Sequence, residues 1–287
     1  MSDNKPNPLQ KYYRQPKIYI SLPSGGKYWK EGSIELPESG EIPVFAMTAK
    51  DELMMKTPDA LLNGQATVEL IQSCIPAIKD AWYTPATDFD AILIAIRIAT
   101  YGEKMDVSSF TPVISEEKTF SLNLITLMDS IQGQQFSETV HNNDLSFKIR
   151  PLTYREMTDT TNETFEEQRI FTAVNNNDMP EAEKIELFRN SFKKLTELTV
   201  KTLERSIVSI EVGDDVVTNQ NLIAEFIANS DKTIFETLSN HIEGEKDKFK
   251  VKPMVVDATP EEIERGVPAT YEIPIIFDPS NFFVQGS

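Results

Sequence analysis

The chain has 287 residues, 40% apolar and 25% charged, a balance that suits a folded soluble protein and excludes wholesale disorder. Its 45 acidic against 28 basic residues leave a formal net charge of −17, so non-specific nucleic-acid binding, which needs clustered cations against phosphate, is not expected. A single cysteine, Cys74, excludes an intramolecular disulfide framework and is compatible with a reducing cytoplasm; no charged-then-apolar leader opens the sequence, and the longest apolar run, Ala91 to Ala99, interrupted by Arg97, falls far short of the roughly 20 residues that span a bilayer.

In chain order, Met1 to Pro16 is polar, proline-containing and locally basic through Lys5, Lys11 and Arg14. It reads as an extended arm, either a frayed terminus or, through the interface-type residues Tyr12, Tyr13 and Arg14, a partner-docking segment. Ile18, Ile20 and Leu22 then alternate as in a strand, Pro23 to Gly26 supply a turn, and Val44 to Met47 form a second short apolar run. Thr48 and Asp51 have capping-box spacing for a short helix that Pro58 should stop. After Gly64, the spacing of Val68, Ile71, Ile75 and Ile78 predicts a helix with one buried stripe and a kink near Pro76. Thr87 or Asp88 should cap a third helix, Phe89 to Tyr101, apolar nearly all round and so expected at the centre of its domain, with Gly102 ending it.

The succession Leu22-Pro-Ser-Gly-Gly-Lys-Tyr-Trp29, Glu41-Ile-Pro-Val44, Met47-Thr-Ala-Lys-Asp-Glu-Leu53, Thr57 to Gly64, Ile71 to Pro76, Asp88-Phe-Asp90, Arg97 and Thr100-Tyr-Gly102 resembles the baseplate proteins of T-even-type contractile-tailed bacteriophages, and among them the baseplate hub assembly family. The resemblance covers about the first third and, more weakly, Phe277 to Phe283; it rests on order and spacing. Members of that family often carry cysteine pairs with metal-like spacing after the central helix. Ser108 to Ser115 holds none here, and a tetrahedral zinc site needs four Cys or His ligands, so no metal is expected and packing of Phe110, Val113 and Phe120 must hold the region.

Further on, Phe120, Leu122 and Leu124 alternate, as do Leu145, Phe147 and Ile149 behind the turn-like Asn142-Asn-Asp144, which together predict a small sheet. Gly133-Gln-Gln135 is the candidate domain boundary. From Tyr154 to Asp247 the pattern is mainly helical. Its longest regular stripe is Ile185, Phe188, Phe192, Leu195, Thr199 and Leu203, opened by Pro180 and the acidic first turn Glu181 and Glu183, and it is expected to face a core. Ile207 to Val212 reads as a strand, two more amphipathic helices follow through Leu222, Phe226 and Ile227 and through Ile234 to Ile242, and Lys250 to Val256 should pair with Tyr271 to Phe277.

Few side chains suggest chemistry. Ser24-Gly-Gly-Lys27 lacks the phosphate-loop frame and reads as a turn. His141 and His241 are far apart, expected in a polar turn and at a helix end. Asp88 and Asp90 suit a helix start and an internal ion pair with Arg97. Glu166-Glu167 and Glu261-Glu262 read as solvated helix faces, Cys74 as a buried inert thiol, and Asn162-Glu-Thr164 as an incidental acceptor sequence. The terminal pair Phe282 and Phe283 must either dock back on the fold or bind a partner.

The expectation is an α+β protein: an arm over residues 1–16, a domain of strands, about three helices and a small sheet over 17–132, and a mainly helical domain with terminal strands over 133–287. Candidate partner-binding residues are Tyr12, Tyr13, Arg14, Phe282 and Phe283, with no catalytic, cofactor or metal residues. The resemblance implies a phage tail baseplate (hub) assembly protein that binds other hub proteins, in the host cytoplasm or in the tail itself, with neither nucleic acid nor membrane as partner. A permanent structural subunit of the baseplate is the alternative, and a hydrolase using an acidic pair is the alternative of another class.

Overall fold

The computed structural model describes residues 7–56, 64–176, 180–275 and 282–283, except the side chains of Gln10 and residues 171–176. The helix stop expected at Pro58 lies outside them, as do Lys5 and Pro6 of the arm and Phe277 to Asn281 of the terminal stretch that carries the resemblance. The described residues form nine α-helices and four small antiparallel sheets, an α+β fold.

The first core is built on β1 (Pro16–Ser21) and β2 (Glu41–Phe45), paired antiparallel with Ile18 opposite Val44 and Ile20 opposite Ile42. Alternation puts Ile20, Ile42 and Val44 inside. The capping box forms as the spacing predicts: in α1 (Ala49–Met54) the Asp51 N–H donates to Thr48 Oγ1 at 3.2 Å and the Thr48 N–H to Asp51 Oδ2 at 2.7 Å. Helix α2 (Gln65–Cys74) follows Gly64, whose φ of 77° is left-handed, and ends before Pro76 instead of kinking there. The residue ahead of a proline is pushed out of the helical region, and Ile75 takes φ −129°.

Helix α3 (Ala86–Tyr101) is the centre of this unit, with residues 91–99 buried throughout. Its start differs from expectation. Pro85 occupies the cap, and Thr87 and Asp88 lie inside the first turn without capping it. The hairpin β3 (Lys104–Phe110) and β4 (Glu117–Asn123) follows, then α4 (Leu124–Gln132). The alternation of Phe120 and Leu122 stops short of Leu124, because Asn123 accepts from the Ile125 N–H at 2.9 Å and starts a helix there.

The expected small sheet is in fact two separate ones. Strands β5 (Thr139–Asn142) and β6 (Leu145–Ile149) pair with β7 (Ile207–Val212) and β8 (Asp215–Val217) in the order β5-β6-β7-β8, leaving the β3-β4 hairpin apart. Between β6 and β7 the chain runs out and back as a long antiparallel hairpin of α5 (Tyr154–Asn176) and α6 (Glu181–Ser206). Helices α7 (Gln220–Asn229) and α8 (Lys232–Lys248) complete the second core, which joins Phe147, Ile149, Leu203, Ile207, Ile223 and Leu238.

The stripe expected to be the core face of α6 is largely outside: Phe192 is 69% and Ile185 53% exposed. Of that stripe only its last member, Leu203, is buried; the other buried positions, Ser191, Leu198 and Ser206, lie on a row rotated from it, because α6 turns that row toward α5. Strands β9 (Met254–Asp257) and β10 (Thr270–Ile273) pair as expected, flanking α9 (Pro260–Glu264). They pack through Val267, Tyr271 and Ile273 against Val107, Ile114 and Phe120. Residues assigned by sequence to the second domain thus complete the first unit.

Candidate interaction surfaces

The arm enters as a single 3-10 turn, Pro8–Tyr12, and leaves Tyr12 74% and Tyr13 57% exposed. Arg14 does the opposite. Its guanidinium donates to the Ala46 carbonyl at 2.6 Å, to the Ser73 carbonyl, and to Ser73 Oγ at 3.0 Å, and sits 3.7 Å from the Asp51 carboxylate. Asp51 is buried and already closes the capping box of α1, so its charge is a ready counterion for an entering cation. Arg14 therefore bolts the arm to the body, and the two tyrosines ahead of it are held out at the surface. Beside this bolt Cys74 is fully buried, and burial, with Asp51 adding, pushes its thiol up to about 12. It is an unreactive side chain.

Phe282 and Phe283 lie inside the first core at 1% and 3% exposure. The rings meet edge to face at 5.0 Å. Arg97 donates to the Phe282 carbonyl and stacks over the Phe282 and Tyr101 rings at 5.3 and 5.2 Å, while the Tyr101 hydroxyl donates to the Phe283 carbonyl at 2.8 Å. A partner reaches these rings only if they first leave the core. Arg97 accordingly serves the terminal segment, and the ion pair expected with Asp88 or Asp90 does not form among the described residues.

Asp88 is fully buried and ties down the Leu22 to Trp29 loop, accepting from the Ser24 N–H at 2.7 Å, Ser24 Oγ at 2.5 Å and Trp29 Nε1 at 2.8 Å. Burial raises its pKa against the pull of those bonds. The loop needs its glycine: Gly26 has φ +85°, and a Cβ there would lie 2.1 Å from Leu36 Cδ1. Asp90 is pushed up to about 6, by burial first, with the Val251 N–H and Lys250 opposing.

Two acidic pairs are half solvated only. Glu167 is buried and bonds Lys194 at 2.9 Å; Glu262 is buried, caps α9 with Thr259, and is held down at about 2 chiefly by Lys118 at 2.5 Å. Glu166 and Glu261 face solvent. The histidines also sit elsewhere than expected. His141 is an exposed residue within β5, and His241 lies in the body of α8, its Nε2 3.1 Å from the Ser137 carbonyl. Among the described residues no three His, Cys, Asp or Glu side chains converge as metal ligands, and no helix is long and apolar enough to cross a membrane.

Sequence reasoning missed the outer face of the α5-α6 hairpin, where Phe192, Ile185 and Phe165 are more than half exposed. The signal was present as an apolar stripe, but a stripe does not say what covers it. No curated protein and no solved structure matches the chain. The family model described as T4 bacteriophage base plate protein matches residues 16–257, from β1 through β9. That span takes in the second core, the α5-α6 hairpin and all of the first core but its Phe282 and Phe283 end and Ile275, and the chain belongs to the T4 bacteriophage base plate protein family.

Proposed function

We propose that the protein acts by protein-protein binding as a baseplate assembly factor, holding another hub subunit until the next one arrives during assembly in the host cytoplasm. The observation that carries this reading is the arm. Arg14 spends at least three hydrogen bonds and an ion pair on fixing a segment whose preceding tyrosines are 74% and 57% exposed. Ordering a terminus costs entropy, and large amphipathic rings held at the surface are what interfaces use as anchors. Family membership supplies the class of partner, other baseplate proteins.

The test is capture of purified baseplate subunits by the wild-type chain and by a Tyr12→Ala, Tyr13→Ala variant. Capture should fall at least tenfold while the melting temperature stays put. Unchanged capture would remove the arm from the interface. Mass spectrometry of purified mature tails separates an assembly factor, absent from them, from a permanent subunit, present in stoichiometric amount.

A further inference from the structure

The α6 stripe leads into a groove of about 330 Å³ where α5, α6 and α8 meet, floored by Leu195, Leu198, Leu203 and Ile242. Its walls are threonines, yet they are not polar toward a ligand. Thr160, Thr164, Thr199 and Thr202 each donate their hydroxyl to the carbonyl four residues back in their own helix, at 2.7 to 3.0 Å. These four protons are spent inside the helices, and no lining residue of the groove is charged.

Toward the hairpin tip the same surface continues as Phe192 and Ile185, 69% and 53% exposed. From Ile185 to Leu203 it runs about 27 Å, five helical turns, at steps of three and four residues. An uncharged strip of this length and period, in a chain of net charge −17, matches the face of another helix. Along α6 from Lys184 to Leu203 the charges flanking the stripe are positive, with Glu181 in line with it one turn ahead of Ile185. Lys184 lies on one side of the stripe and Arg189 on the other, and neither has an ion-pair partner among the described residues, whereas Lys193 is 3.7 Å from Glu197. At physiological salt only charges within about 8 Å act strongly, so these edge cations outweigh the distant acidic body. The same edge cations count against a second copy as occupant, since its matching face would bring Lys184 and Arg189, not carboxylates, to the contact.

Resting on the binding function proposed above, we infer that the stripe and groove along α6 take one amphipathic helix of about five turns from another baseplate subunit, apolar along its contact face and carboxylate-bearing at its flanks. The helix lies along Ile185 to Leu203, with Phe192 packed between its apolar side chains and its carboxylates against Lys184 and Arg189.

The probe is a labelled synthetic helix of about 18 residues, with leucines at alternating three- and four-residue steps and glutamates beside them, against its lysine-flanked counterpart. Titrated with the full chain, the glutamate peptide should bind at least tenfold more tightly, and added salt should narrow the gap. Phe192→Asp should abolish binding without lowering stability, and Lys184→Glu with Arg189→Glu should reverse the preference. Binding by neither peptide, equal binding by both, or binding indifferent to Phe192→Asp overturns the inference. A concentration-dependent dimer in sedimentation that Phe192→Asp dissolves also overturns it, by giving the face to a second copy. Peptide failure with tyrosine-dependent subunit capture intact refutes only the groove, while peptide binding without any subunit capture refutes the assembly role.

Discussion

Replacing Phe282 by alanine tests whether the terminal aromatic pair belongs to the core. The ring is 1% exposed, meets Phe283 edge to face, and lies under the Arg97 guanidinium. Truncating a buried phenylalanine costs about 3–5 kcal/mol, and loss of the cation-π contact from a guanidinium whose buried Nε has no hydrogen-bond partner among the described residues places this site near the upper end. With a urea slope of about 3 kcal/mol/M, the midpoint of the transition reporting the first core should fall by roughly 1.3–1.7 M. The backbone carbonyl that accepts from Arg97 survives the substitution, so the loss reads ring packing and not the hydrogen bond. Equilibrium denaturation followed by tryptophan fluorescence suits the question, because Trp29 and Trp82 both pack on this core. A midpoint within about 0.3 M of wild type, less than roughly 1 kcal/mol at that slope, would refute the placement and return the pair to the surface.

Phe192→Ala should change stability by less than about 0.5 kcal/mol, whereas Leu198→Ala, two turns on and 8% exposed, should cost about 2–4 kcal/mol; chemical denaturation of both variants shows which row of α6 faces the core. Asp90→Asn should stabilise the protein above pH 6 and be neutral below pH 4. The folded carboxyl titrates at about 6 against a usual 3.8, so the native state holds the extra proton between those values and stability falls as pH rises through them, by a total on the order of 3 kcal/mol that the amide avoids; melting temperatures of both proteins from pH 4 to 8 check this. Arg14→Ala should release the arm, seen as faster chymotryptic cleavage after Tyr12 and Tyr13, and lysine should rescue it only in part because a single ammonium cannot reproduce the forked contacts to Ala46 and Ser73.

Local signals were legible in the sequence wherever one chain segment settles its own structure. The Thr48-Asp51 capping box, the Ile18-Ile20 strand, the all-round apolar α3 and the pairing of the terminal strands were all written in short-range pattern. What failed was whatever needs a second surface. The α6 stripe is periodic whether it meets a core or a partner, and Phe192 turned out to face solvent. Asp88 looked like a helix cap because it stands at a helix start; its real donors, Ser24 and Trp29, are about sixty residues upstream. Arg97 took a backbone carbonyl 185 positions away, which no charge-pairing rule would supply. Among the candidate partner-binding residues, exposure could be guessed for Tyr12 and Tyr13, but the docking of a half-buried Arg14 against Asp51 depends on where α1 and α2 pack.

The return of residues 282 and 283 to a core whose other buried members, Phe249 apart, are all made by Ile131 sets a clock on biosynthesis. About 150 further residues must be made before those rings exist, and at roughly 5–20 residues per second that is some 8–30 seconds. Throughout that interval a nascent chain carries an unplugged apolar cavity next to Arg97, while the sheet and long hairpin downstream are free to form. The amino-terminal unit, translated first, is the last to close. Any subunit that must recognise the closed form therefore meets only chains already made through Phe283.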